Sequence, residues 1–168
     1  KMKVGIAGDE GMKRTSQQAT EKGALAAING TYYNMVTGNS VCFYKINDQV
    51  LDTTTNGEFK SRVNGAIREV KGNIEIIDWN KEIEANYKKN KGTVLASGPI
   101  MVDNGRISDW SKCDKKFIET RHPRSAIFTK KNGTIVFLTV DGRLEGNAAG
   151  MSIPELAYLA KILGAEDA

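Results

Sequence analysis

Short apolar segments that flank tight-turn sequences are the feature that most limits how this chain can fold. Asn47-Asp48, Asp103-Asn104-Gly105 and Lys131-Asn132-Gly133 each separate two such segments. Asparagine, aspartate and glycine accept the backbone conformations of hairpin turns, so each site predicts a pair of antiparallel strands. The sequence therefore predicts a twisted, mostly antiparallel mixed sheet.

Other segments extend this sheet and cover it with helices. Apolar or alternating stretches predict strands at residues 3–7, 24–28, 61–67, 73–79 and 93–96, and residues 135–138, apolar on both faces, predict a strand in the middle of a sheet. Helices are predicted at residues 17–22 and 80–89. The clearest helix follows Ser152, where a capping box with Glu155 precedes an apolar stripe made of Ile153, Leu156, Ala157, Ala160 and Leu163. The predicted fold is a single α+β domain over residues 1–168.

Composition excludes several classes of function. Lysine plus arginine exceed aspartate plus glutamate by 24 to 20, but the lysines are scattered and no aromatic-basic motif accompanies them, so we do not expect a nucleic-acid partner. No apolar run approaches the ~20 residues of a membrane span. Two cysteines, Cys42 and Cys113, and one histidine are too few for a structural zinc site. Whether the cysteines form a disulfide stays open, and without a phosphate-binding loop or a dinucleotide fingerprint we expect neither metal nor cofactor.

The sequence RHPRSAI at residues 121–127 is the strongest candidate for a functional site. It holds the single histidine, His122, between Arg121 and Arg124. Guanidinium groups bind phosphate oxygens through two parallel hydrogen bonds and stay charged at any working pH. Pro123 restricts the backbone and would set the two arginine side chains in a fixed relation. The alternative is that each arginine forms a surface ion pair with a nearby carboxylate.

Three further segments contain residue types suited to ligand binding. Asn29, Gly30, Thr31 and Tyr32 follow a predicted strand, where amide, hydroxyl and phenol groups can bind a ligand. Ser97-Gly98-Pro99 follows another. Val140-Asp141-Gly142-Arg143 ends the second strand of a hairpin, so Asp141 and Arg143 are candidates for a cleft at the strand ends. For all three segments, an ordinary turn is the competing interpretation.

Together these segments resemble the phosphodiester glycosidase domain family. The matching residues occur in the family's order and are AAINGTYY at 26–33, ASGP at 96–99, RHPRSAI at 121–127, VDGR at 140–143 and GMSIPELA at 150–157. The resemblance implies hydrolysis of a sugar-1-phosphodiester, which releases the sugar and leaves a phosphate monoester. It also implies a surface cleft and, for many members, a secreted, cell envelope or lumenal location. The family pattern continues with a strand and a glycine-rich loop, so we expect residues 1–168 to lack that part of the domain.

The chemistry of the leaving group suggests which residues would act. A departing phosphate monoester, whose second pKa is about 6, needs little protonation, so cations that hold its charge matter most. We expect Arg124 and Arg143 to hold the phosphodiester, with Arg121 as an alternative partner. Asp141 would orient a sugar hydroxyl or activate water, and His122 would orient an arginine or move a proton. The residues expected to bind substrate are Asn29, Gly30, Thr31, Tyr32, Ser97, Gly98, Arg121 and Arg143.

Two other functions compete with hydrolysis. One is a non-catalytic module of the same fold that binds a carbohydrate or a cell-wall polymer. The other is a basic nucleic-acid binder, for which binding would depend steeply on salt.

Overall fold

The computed structural model describes residues 5–6, 13–89 and 91–168, which form two compact units. The first unit contains the described residues up to Phe59 together with Val63–Ser97, and the second contains Lys60–Arg62 together with Gly98–Ala168. Helices and strands occur in both units, and the strands within the described residues pair in the antiparallel sense. The predicted α+β class with antiparallel sheets is confirmed.

The first unit contains a five-stranded sheet and three short helices. Its elements are, in chain order, α1 (Thr15–Glu21), β1 (Tyr44–Ile46), β2 (Gln49–Asp52), α2 (Asn56–Ser61, whose last two residues belong to the second unit), β3 (Gly65–Val70), β4 (Asn73–Asp78), α3 (Lys81–Tyr87) and β5 (Val94–Ser97). The strand order is β2-β1-β5-β3-β4. Asn47 and Asp48 both have positive φ, as a two-residue turn between β1 and β2 requires. The core of this unit includes Phe43 and Trp79, whose ring centroids lie 5.2 Å apart.

A buried carboxylate joins three segments of the first unit. Glu84 of α3 is almost fully buried. Its Oε1 accepts a hydrogen bond from the Thr54 backbone amide, and its Oε2 accepts one from the Trp79 indole, each at 3.1 Å. Both oxygens therefore have a donor, which is how a carboxylate can be tolerated inside a small core.

The second unit consists of two hairpins and two helices. Its elements are β6 (Val102–Asp103), β7 (Arg106–Ile107), α4 (Lys115–Glu119), β8 (Arg124–Thr129), β9 (Ile135–Val140) and α5 (Ile153–Ile162). The predicted capping box is confirmed, since the Ser152 hydroxyl accepts from the Glu155 amide and the Glu155 carboxylate accepts from the Ser152 amide. The apolar stripe of α5 is buried at Ile153, Leu156, Ala157 and Ala160 and packs in one cluster with Ala126 and Phe128 of β8, whereas Leu163 is exposed.

Residues 166–168 form backbone hydrogen bonds with both hairpins of the second unit. Thr129 exchanges backbone hydrogen bonds with Glu166 and Asp167, and Ala168 exchanges them with Val102. The segment after α5 therefore connects the end of β8 to β6.

Three strand predictions differ from the structure. Residues 135–138 were expected in the middle of a sheet, but within the described residues β9 pairs with β8 alone, and Phe137 is 37% exposed. Residues 24–28 form no strand, and Leu25 is 87% exposed, because local apolar character supplies no pairing partner. The strand expected at 61–67 begins at Gly65, after α2. The strand expected at 3–7 falls largely outside the described residues.

Candidate functional site

The loop that contains His122 is attached to the segment entering α5. The His122 amide donates to the Met151 carbonyl at 3.1 Å, and the Met151 amide donates to the His122 carbonyl at 3.0 Å. Met151 directly precedes Ser152, the N-cap of α5. The loop therefore has a fixed position relative to the helix, and β8 begins two residues after His122.

Two glycines allow other segments to approach this loop closely. A Cβ on Gly150, which has φ of 81°, would overlap the His122 carbonyl, and a Cβ on Gly142 would lie 2.7 Å from the Pro123 nitrogen. Both contacts are shorter than any ordinary carbon contact, so any larger residue would displace the backbone. The loop containing Asp141 and Arg143 can reach the backbone of His122 and Pro123 because position 142 is glycine.

Arg121 is paired with a carboxylate of the helix. Its Nε donates to Glu155 Oε2 at 3.0 Å, and its Nη2 contacts Glu155 Oε1. The hydrogen bond from Arg121, followed by those from Ser152, lowers the pKa of Glu155 to about 2. Glu155 in turn raises the pKa of Arg121. The competing interpretation of this arginine, an ion pair, therefore fits its geometry, although the partner is Glu155 and not a carboxylate close in sequence.

Arg124 is surrounded by backbone carbonyls. Its Nε donates to Met151 at 3.0 Å, and its Nη2 donates to Thr120 at 2.8 Å and to Phe117 at 3.1 Å. Its guanidinium carbon also lies 4.8 Å from the centre of the Phe117 ring, in cation–π geometry. These contacts join the start of β8 to α4 and to the entry of α5.

Arg143 differs from the other two arginines. It is exposed, and its Nη2 lies 3.1 Å from His122 Nδ1. Within the described residues this is the one hydrogen bond of its guanidinium, and no ion pair involves it. Most of the guanidinium donors of Arg143 therefore remain for a substrate, and no described carboxylate neutralises its charge.

The charges of two of these arginines act on the imidazole of His122. Burial, followed by the positive charges of Arg124 and Arg143, lowers the pKa of His122 below its usual 6.5. Because a guanidinium only donates, Nδ1 must accept the hydrogen bond from Arg143, and the ring is then neutral with its proton on Nε2.

Asp141 stands at the end of β9, on the same side of the hairpin as the His122 loop. In the register of the hairpin, Val140 pairs with Arg124, so Asp141 follows directly where the loop ends. Its carboxylate is exposed and has no hydrogen bond or ion pair with any described residue. The loop that follows, residues 143–149, borders an open depression of about 580 Å³ on the surface.

The structure thus brings together one set of expected site residues in the second unit: Arg121, His122, Arg124, Asp141 and Arg143. A second set lies together in the first unit. The Thr31 hydroxyl donates to the Ala96 carbonyl at 2.9 Å, and Gly30 lies against Leu95, which places this segment beside β5 and close to Ser97. The Asn29 side chain accepts from the Thr15 hydroxyl, and the Tyr32 carbonyl accepts from the Val41 amide. Gly98 is the first residue of the second unit after β5. The substrate-binding role of the first-unit residues stays a prediction.

Sequence reasoning missed the residues that hold the arginines. Glu155 had been identified only as a helix cap, and the Met151 carbonyl has no side-chain signature at all. Phe117, under Arg124, belongs to a helix that was not predicted. The capping box carried a usable signal, since a carboxylate fixed at the start of a helix attracts a nearby arginine.

Comparison with known proteins decides what kind of chain this is. The sequence matches the family model described as phosphodiester glycosidase over residues 22–168, a range that includes every expected site residue. The chain belongs to the phosphodiester glycosidase family. The resemblance of the five sequence segments is thereby confirmed.

Two solved structures have a fold similar to that of this chain. One is the catalytic domain of zebrafish N-acetylglucosamine-1-phosphodiester α-N-acetylglucosaminidase, auto-inhibited by its pro-peptide; identity is 17%, the TM-score is 0.63, and the alignment covers 83% of this chain and 47% of that one. The other is a hypothetical protein from Synechocystis, with 14% identity, a TM-score of 0.65 and coverage of 99% and 48%. This chain spans about half the length of each. A search of curated protein sequences found no match.

The residues that the structure describes contain neither a metal centre nor a membrane-spanning helix. No cluster of three or more His, Cys, Asp or Glu side chains in residues 5–6, 13–89 and 91–168 is arranged to hold a metal ion. Over the same ranges, no helix has the length and apolar character to cross a bilayer. Cys42, buried in the first unit, and Cys113, half-buried in the second, are both free thiols. That residues 1–168 form one domain lacking the family's C-terminal strand and glycine-rich loop stays a prediction.

Proposed function

We propose that this chain hydrolyses the glycosidic bond of a sugar-1-phosphodiester, releasing the sugar and leaving a phosphate monoester. The observation that carries the proposal is the Arg143–His122 contact next to the exposed Asp141, in a chain of the phosphodiester glycosidase family. One end of a hairpin thus carries a cation that can hold the departing phosphate, a carboxylate that can activate water, and a histidine that can orient the cation.

The phosphate is held by Arg143 in this proposal. A monoester leaving group, with a second pKa of about 6, departs as an anion, so a guanidinium that binds its oxygens stabilises the transition state without transferring a proton. Arg121 has its charge neutralised by Glu155, and the Nε and Nη2 of Arg124 donate to carbonyls. We therefore assign the phosphate contact first to Arg143, and to Arg124 the holding of the loop in place.

Asp141 activates the attacking water or orients a sugar hydroxyl. Its carboxylate is exposed and follows the strand that ends beside the His122 loop. A carboxylate in its ionised form is suited to either role.

We further propose that the protein is secreted or located in the cell envelope, where it would encounter a glycan or sugar-phosphate substrate. This part of the proposal rests on the family alone.

The direct test is an assay of free sugar released from hexose-1-phosphodiesters of several sugars. We expect Asp141→Asn to lower turnover by about 10²- to 10⁴-fold and Arg143→Gln by about 10²- to 10³-fold. Arg106→Gln serves as the matched control, because Arg106 is an exposed arginine of the second unit outside this cluster, and it should retain full turnover. Binding of glycan by calorimetry with no sugar release from any substrate would overturn the proposal in favour of a non-catalytic binding module.

A further inference from the structure

The contact between Arg143 and His122 has a consequence for how an anion can bind. In the free protein the Arg143 Nη2 donates to the lone pair of His122 Nδ1 at 3.1 Å. Protonation of the ring adds a hydrogen at Nδ1, so both atoms become donors. The direct contact cannot persist in that state, because two donors then face each other without an acceptor.

A tetrahedral oxyanion resolves this conflict. One of its oxygens can accept from the protonated Nδ1 and another from the Arg143 guanidinium. One hydrogen bond from a cation to a neutral acceptor is then replaced by two between opposite charges. No carboxylate of the described residues forms an ion pair with Arg143, so none competes with an oxyanion for its guanidinium. Arg143 has a φ of 60° and follows Gly142, which packs against Pro123. This contact fixes the position of the backbone from which the guanidinium extends.

We propose that a phosphate oxyanion binds between Arg143 and His122, and that the imidazole takes up one proton from solvent as the anion binds. The inference rests on the proposed function in one respect, namely that both place a phosphate at Arg143. It adds the second ligand of the phosphate and the protonation state in which the site binds it.

The surrounding charges oppose protonation until an anion arrives. The positive charges that act on the imidazole are those of Arg143, from the loop after β9, and Arg124, from β8. On the side of α5, the Glu155 carboxylate is already neutralised by Arg121. Asp141 and Glu145, each two residues from Arg143, are the carboxylates nearby in sequence, and neither forms an ion pair with a described residue. Burial and the two arginines lower the pKa of the free imidazole, and an incoming dianion would act in the opposite direction.

Proton uptake on binding has a defined sign. If the pKa of His122 is higher with the anion bound than without it, affinity rises as pH falls through the bound-state pKa and levels off below the free-state pKa. A difference of one pKa unit corresponds to about tenfold in affinity between the two plateaus. Anion binding is therefore tightest in mildly acidic solution.

A pH titration of the imidazole resonances by NMR tests the proposal, since His122 is the single histidine of the chain. The probe is sulfate, which stays a dianion throughout, compared with chloride at equal ionic strength; inorganic phosphate follows as a second probe. In chloride the pKa of His122 should lie below 6.5. In sulfate it should rise by about one unit, and sulfate affinity measured by calorimetry should be about tenfold higher at the acidic plateau.

Two variants distinguish sulfate bound at Arg143 from a general screening of the protein's charges by sulfate. Arg143→Gln should abolish the sulfate-induced rise, while Arg106→Gln, which removes an exposed arginine elsewhere in the same unit, should leave it intact. An unchanged pKa in sulfate would overturn the proposal, and so would an equal rise in wild type and Arg143→Gln. The wild-type comparison requires no variant to fold.

The outcome is independent of catalysis. A chain that releases no sugar but shows the Arg143-dependent rise keeps the oxyanion site and loses the proposed hydrolysis. A chain that releases sugar with an unmoved imidazole keeps the hydrolysis and loses the proton-linked site.

Discussion

Arg121 and Glu155 lie 34 residues apart in sequence and form a two-point ion pair, in which the Arg121 Nε is 3.0 Å from Glu155 Oε2. The same carboxylate oxygen accepts from the Ser152 amide at 2.9 Å and from its hydroxyl at 3.0 Å. One side chain thus completes the cap of α5 and holds the loop that leads to His122. Its removal should affect both.

The first prediction concerns acid stability through Glu155. The pKa of this carboxyl is about 2 in the folded chain and 4.5 normally, so its ionised form stabilises the fold above pH 4.5, and this contribution is lost as pH falls toward 2. Glu155→Gln should be less stable than wild type at pH 7, and the difference should shrink between pH 4.5 and 3. Urea unfolding at several pH values measures it.

A suitable comparison for that prediction is Glu119→Gln. Glu119 forms an exposed pair with Lys115 at 3.7 Å within α4, and such pairs contribute little. Its removal should leave stability nearly unchanged at every pH. If both variants show the same change in stability at every pH, the Arg121–Glu155 pair contributes no more than the exposed pair of α4.

A second prediction compares two glycines with similar backbone and different surroundings. Gly150 and Gly146 have φ of 81° and 72°, but a Cβ at 150 would overlap the His122 carbonyl, whereas nothing lies within 4 Å at 146. Gly146→Ala should cost about 1 kcal/mol from left-handed backbone strain alone. Gly150→Ala should cost about 1–3 kcal/mol more, because the loop must also move. Equal losses in urea unfolding would contradict the tight contact.

The third prediction separates the two arginines by stability and turnover. A lysine at 124 cannot reach the carbonyls of Met151, Phe117 and Thr120 together, so Arg124→Lys should lose about 1–3 kcal/mol of stability. Arg143→Lys, at an exposed position, should change stability by less than about 0.5 kcal/mol while still lowering turnover through loss of the two-point contact.

Thermal unfolding and sugar release on the same preparations measure both effects. Full turnover by Arg124→Lys would exclude a phosphate contact by Arg124. Full turnover by Arg143→Lys would remove the reason for placing the phosphate at Arg143.

The fourth prediction concerns the buried Glu84 in the first unit. In Glu84→Gln one accepting oxygen becomes an amide donor facing either the Thr54 amide or the Trp79 indole. A donor that faces a donor should cost about 1–3 kcal/mol. Trp79 fluorescence during urea unfolding gives the loss, and Glu82→Gln, an exposed change on the same helix, should show little.

Elements defined by local chemistry could be predicted from the sequence. The Asn47-Asp48 turn and the Ser152–Glu155 capping box each depend on residues within a few positions of one another, and both are present. The strand expected at 24–28 is absent for the opposite reason. Apolar residues there had no pairing partner that the sequence could identify, and Leu25 ends up exposed.

The candidate site was predictable in its residues but not in their roles. The sequence assigned the phosphodiester to Arg124 and Arg143, with Arg121 as an alternative, but it gave no sign of the groups that each arginine contacts in the structure. Glu155 and the Met151 carbonyl reach the loop only through the folding of α5 against it. The close approach of Gly142 to Pro123, beside Arg143, is likewise a contact between distant residues that no local pattern encodes.

The backbone groups of His122 and Met151 are hydrogen-bonded to each other, so the Met151 amide at the entry of α5 reports whether the His122 loop is held in place. The Met151 amide is protected from solvent by a carbonyl of the very residue that contacts Arg143. Deuterium can replace its hydrogen only when the loop separates from the helix entry. A ligand that holds His122 should therefore slow exchange at Met151, so that occupancy can be measured at a residue outside the proposed phosphate contacts.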